Sequence, residues 1–143
     1  MSEKEKAEFG NQTFKRNFSK KEDIYVSELS SFQLMGIDQF KPKIACIVNI
    51  FSAHLDYHGT REEYIKAKLQ LTKNQTEEDY LVYNADYPEL ITLIEGHTKA
   101  TLVPFSRKNI LEFGASVKDN YICFNGEKVI PVSTIQVPGT QNV

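Results

Sequence analysis

No run of apolar residues in this sequence approaches the roughly twenty that a membrane-spanning helix needs. Residues 1–9 are charged and contain no hydrophobic segment, so they do not read as a signal peptide. There is no excess of charge of one sign: the formal net charge is −2, which points to neither a nucleic acid nor a membrane surface as partner. Cysteine is scarce. Cys46 and Cys123 each sit in an apolar, strand-like run, without the spacing of a zinc site or a redox pair. Both read as buried free thiols in a reducing compartment. None of the seven glycines precedes Lys-Ser or Lys-Thr, so no Walker A loop is encoded. No internal repeat or low-complexity segment is visible.

What is there fits an ordinary domain. The apolar fraction is 41% and the charged fraction 25%, in a chain of 143 residues, enough for one hydrophobic core. Residues 1–23 are polar and read as a poorly matched lead-in, with the domain proper over 24–143. Ile24-Tyr25-Val26-Ser27 reads as a short buried strand ending at Glu28, and 29–36 as helix-compatible with Gly36 as the stop. Residues 43–49 form a second apolar strand. The intervening 29–42 is about the minimum for a parallel crossover, which places Glu28 and Asn49 at one carboxyl edge. Thr60 caps a helix over 61–73, with Glu63 as capping-box partner. Further strands are expected at 80–83 and 100–105, around a short helix at 88–95. The alternation predicts an α/β fold with a mostly parallel sheet flanked by helices. Asn125-Gly126-Glu127, flanked by 121–124 and 128–132, reads as a hairpin, a small antiparallel addition near the C-terminus.

Three places invite chemistry. Tyr64, Ile65, Ala67, Leu69 and Leu71 share one helix face, and Lys68 falls within it. Such a lysine either snorkels or has altered chemistry, because an unpaired buried ammonium is costly. Glu28, ending a strand, is either a helix N-terminal acid favoured by the macrodipole or a hard oxygen ligand for Mg²⁺. His54 lies in a loop with Asp56 and His58; no H-E-x-x-H pattern supports zinc, and an unliganded loop histidine stays open.

Glu28-Leu29-Ser30-Ser31-Phe32-Gln33-Leu34, then Asn49-Ile50 leading to His54-Leu55-Asp56-Tyr57-His58-Gly59, then Tyr64-Ile65-Lys66-Ala67-Lys68, stand in the order and spacing of three motifs of the Mur ligases. The sequence therefore resembles that family from about residue 23 to 143, and the first two motifs favour the branch that adds D-glutamate. The resemblance implies a P-loop NTPase-like central domain and ATP-dependent amide bond formation in peptidoglycan precursor synthesis in the cytoplasm. Its substrates would be UDP-N-acetylmuramoyl-L-alanine and D-glutamate. It implies Mg²⁺ held by Glu28 and His54, and by Lys68 once carbamylated, with Lys68 and His54 as catalytic residues. Ser30 and Gln33 would approach the substrate. Gly10-Asn11 resembles a substrate loop of the family, which would add Asn11. The stretch ending in Gln141-Asn142 stands where relatives carry G-x-H-N, with Gln141 in place of the histidine. Ala53 stands where many relatives carry Asp. The family's P-loop has no counterpart in the sequence, and the stretch resembling the family ends before its C-terminal Rossmann-like domain. The expectation is thus a partial central domain, inactive by itself. A non-catalytic binding module on the same scaffold, or a piece of a related ligase such as a folylpolyglutamate synthase, are the alternatives.

Overall fold

The computed structural model describes residues 24–50 and 59–136. They fall into two compact units, one from 24–41 with 59–74 and the other from 42–50 with 75–136.

The first unit is helical. Helix α1 (Ser31–Leu34) begins at Ser30 and helix α2 (Arg61–Leu69) at Thr60. The Thr60 hydroxyl accepts the Glu63 amide at 3.2 Å, satisfying one of the amides that a helix start leaves unpaired. Glu62 and Glu63 stand in the first turn of α2 and Lys66 and Lys68 in the last, the arrangement the macrodipole favours. The last turn tightens into a 3₁₀ segment (Gln70–Thr72). Helices α1 and α2 pack on one another, with Leu34, Tyr64, Ile65, Ala67 and Leu69 buried. Asn74 extends this packing by donating to the carbonyls of Asp38 and Phe40.

The second unit is one six-stranded sheet in chain order: β1 (Ile44–Ile47), β2 (Tyr80–Asn84), β3 (Thr101–Ser106), β4 (Ala115–Lys118), β5 (Tyr121–Phe124) and β6 (Glu127–Pro131). The first four strands run parallel; β5 and β6 alternate antiparallel. Helix α3 (Pro88–Ile94), opened by a proline at its start, lies against β2 and buries Leu90 and Ile94. Ala45, Ile47 and Leu81 form the buried side of β1 and β2, while Ile44 and Tyr80 remain exposed on the other. The amino edge is held by buried Asp79, which accepts from the amide and hydroxyl of Thr76 and pairs with Lys43 at 3.4 Å.

The α/β class, the mostly parallel sheet and the antiparallel addition are as the sequence predicts, and the addition is larger than a hairpin. Strand β4 is unanticipated. It joins β5 through Asp119 and Asn120, both at positive φ (51° and 61°), the backbone a two-residue hairpin turn requires. One expectation fails. Residues 24–30 form no strand, and Ile24 and Val26 are 91% and 94% exposed. A strand exists only through ladder partners, and the described sheet, which starts at β1, offers this segment none. The strand that was to end at Glu28 is therefore not formed. The two thiols also differ: Cys123 is buried as expected, whereas Cys46 is exposed.

Candidate functional site

Glu28 is exposed in the extended segment that enters α1. Two residues on, Ser30 and Gln33 form a reciprocal capping box. The Gln33 amide donates to the Ser30 hydroxyl at 3.4 Å, and the Gln33 side-chain oxygen accepts the Ser30 amide at 2.9 Å. The Ser30 hydroxyl itself donates to the same oxygen at 3.1 Å. In this arrangement the two side chains expected to approach substrate serve the helix start. The capping box thus falls at Ser30 and Gln33; at Thr60 the cap bond to the Glu63 amide is the half that forms.

Lys68 is half-buried on α2, beside the buried Tyr64, Ile65, Ala67 and Leu69. Its ammonium lies over the Tyr64 ring, 5.4 Å from the centroid, so the stem covers apolar surface while the head meets a ring face. Glu28, Ser30, Gln33 and Lys68 thus belong to the same compact unit. His54, Asp56 and His58 lie outside the described residues, as do Asn11, Gly10 and the stretch containing Gln141. Among the described residues, no group of three or more His, Cys, Asp or Glu is placed to hold a metal ion. The chemistry of the donors suits Mg²⁺ only in part: Glu28 offers hard carboxylate oxygens, whereas the Lys68 ammonium becomes a ligand only as a carbamate.

A second polar cluster occupies the carboxyl edge of β2 and β3, where open α/β sheets place their ligands. The Asp86 carboxylate accepts from the Ser106 hydroxyl and from the Arg107 amide at 3.0 Å. Ser106, itself buried, accepts in turn from the amides of Lys108 and Asn109 at 3.2 and 2.8 Å. Asn84 accepts the Asp86 amide at 2.9 Å, forming an Asx turn. Partial burial pushes the Asp86 carboxyl up, but the Ser106 hydroxyl, the Arg107 and Lys108 amides and the Lys108 charge outweigh it and hold its pKa below the ordinary carboxylate value. Sequence reading missed this cluster. Its only local signal is Asn-Ala-Asp at the end of an apolar strand, and the Ser106 partner is twenty residues away.

The amino-acid sequence matches a known family over nearly the whole chain: the Mur ligase middle domain, over residues 3–143. The chain belongs to that family. Among its relatives, the UDP-N-acetylmuramoylalanine–D-glutamate ligase of Latilactobacillus sakei is 57% identical over 121 residues, which cover 85% of this chain and 26% of that protein. The ligases of the same name from Halalkalibacterium halodurans and Shouchella clausii are 48% and 52% identical, over 85% and 87% of this chain. The chain spans about a quarter of the length of these curated relatives. Among solved structures, the MurF ligase from Thermotoga maritima in complex with ADP aligns with a TM-score of 0.41 at 24% identity, over 57% of this chain and 19% of that one.

Proposed function

We propose that this chain is part of the central domain of an ATP-dependent ligase that joins D-glutamate to UDP-N-acetylmuramoyl-L-alanine in the cytoplasm. The observation that carries this reading is the 57% identity to a D-glutamate ligase over 121 residues, a stretch that includes the helix bearing Lys68. In such a reaction the substrate carboxylate takes the terminal phosphoryl group of ATP, and the amine of D-glutamate attacks the resulting acyl phosphate. Phosphate leaves as the amide forms. Catalysis of this kind is chiefly positioning and charge stabilisation. Mg²⁺, when bound, offsets the charge on the transferring group. Glu28 and His54 would hold it, with Lys68 contributing through a carbamate.

Lys68 is suited to that role because its amine sits at the border between buried and open surface. Its head lies over the Tyr64 ring rather than deep in the core, and a carbamate formed there would turn a cationic side chain into an oxygen ligand. Glu28, exposed at the entry to α1, leaves its carboxylate open to a cation. Ser30 and Gln33 fix the start of that helix; contact with substrate would require them to open the capping box. No helix among the described residues is long and apolar enough to cross a membrane.

The test is a chimera. The matched 121 residues of this chain replace their counterpart in the Latilactobacillus sakei ligase, and phosphate release is followed with both substrates, ATP and Mg²⁺. Turnover near that of the parent enzyme is expected, together with its loss on Lys68→Ala. A folded chimera without turnover, or one in which Lys68→Ala stays active, would overturn the reading.

A further inference from the structure

The hairpin between β5 and β6 turns on Asn125-Gly126, the only Asn-Gly step in the sequence. Both residues have positive φ, 51° and 81°, as a two-residue turn of this kind demands, and both are exposed. Asn125 is also clasped to the loop before β4. Its backbone amide donates to the Gly114 carbonyl at 2.8 Å, and its side-chain oxygen accepts the Gly114 amide at 2.8 Å. Gly114 cannot readily move aside or be replaced. Its φ is 97°, and an added Cβ would come within 2.0 Å of the Pro104 carbonyl oxygen. The clasp therefore joins a fixed point beside β3 to the tip of the hairpin.

We infer that Asn125 is a deamidation site, and that the clasp to Gly114 governs its rate. The Gly126 amide nitrogen attacks the Asn125 side-chain carbonyl carbon. A carbon–nitrogen bond forms, the bond to the side-chain nitrogen breaks, and ammonia leaves with the proton from the Gly126 amide. Water then opens the five-membered imide at either carbonyl, giving aspartate or isoaspartate. Glycine at the following position offers no Cβ to shield its nitrogen. In the folded chain the side-chain oxygen is engaged with Gly114, so the attack needs the hairpin tip to open first. The two products differ in consequence. Aspartate keeps an oxygen to accept the Gly114 amide. Isoaspartate adds a methylene to the backbone of a two-residue turn, which no longer matches the pairing of Phe124 with Glu127.

The inference does not depend on the ligase reading and has its own test. The 143-residue chain is held in mildly alkaline buffer at body temperature, folded or in concentrated urea, and peptides are mapped by mass spectrometry with enzymatic isoaspartate detection. Asn125 is expected to react first in urea, and about tenfold or more slowly in the folded chain, because local opening must precede the chemistry. The direct product, made as Asn125→Asp, is expected to melt close to the parent, and the isolated isoaspartate form lower. Equal rates in the two conditions, another asparagine reacting first in urea, or an isoaspartate form melting with the parent would overturn it.

Discussion

Lys68 shows how far one side chain can be read from a pattern. The helical period puts it within an apolar stripe, and the structure finds it half-buried with its ammonium over the Tyr64 ring. That contact stabilises the charged head by roughly 0.5–1 kcal/mol, and the stem adds apolar cover. Replacing it with leucine removes the contact but places a branched apolar side chain beside Ile65, Ala67 and Leu69, which are already buried. Lys68→Leu is therefore expected to change stability by less than about 1 kcal/mol in either direction, as read by a thermal melt beside the parent. A loss of several kcal/mol would mean that the polar contacts of the lysine head outweigh the apolar gain. Glu28 illustrates the opposite case, since its surroundings depend on a strand that does not form, and no local pattern foretold that.

At the scale of elements, local hydrogen bonding and distant pairing behave differently. The start of α2 at Thr60 and the hairpin turn at Asn125-Gly126 follow from residues within three positions of one another, and both stand where the sequence puts them. The loop after β3 does not follow from local sequence. It is built by Asp86, from the end of β2, accepting from Ser106 and Arg107. Because the Asp86 pKa is depressed in the folded chain, its contribution to stability is fully present above the unfolded carboxyl value of about 4 and is lost as pH falls through the folded value. Asp86→Asn is thus expected to lower the urea midpoint at neutral pH and to narrow the gap to the parent below about pH 4. Parallel urea titrations across that range check it; a gap that stays constant would show that the carboxylate does not carry the loop.

For the whole chain, the governing fact is that the Mur ligase middle domain matches residues 3–143 while the Walker A pattern is nowhere in the sequence. Phosphoryl transfer in P-loop enzymes depends on that loop to cradle the phosphates. The 143-residue chain alone is accordingly expected to release no phosphate from ATP above a Lys68→Ala control, with UDP-N-acetylmuramoyl-L-alanine, D-glutamate and Mg²⁺ present. Turnover above that control would mean that the chain builds a phosphate grip by other means.

The sequence by itself determined the family, through three motifs in order, and it determined the α/β class, the strands β1, β2, β3, β5 and β6, and helices α2 and α3. These are periodicity, capping and turn signals, each decided by neighbours a few residues apart. Only the tertiary structure decided that 24–30 forms no strand, that β4 extends the sheet, and that Asp86 reaches Ser106. The physical reason is the same for the strand, for β4 and for Asp86. A ladder or a carboxylate-held loop is stable only when a partner far away in sequence is present to meet it, and nothing within the segment states whether that partner will be there.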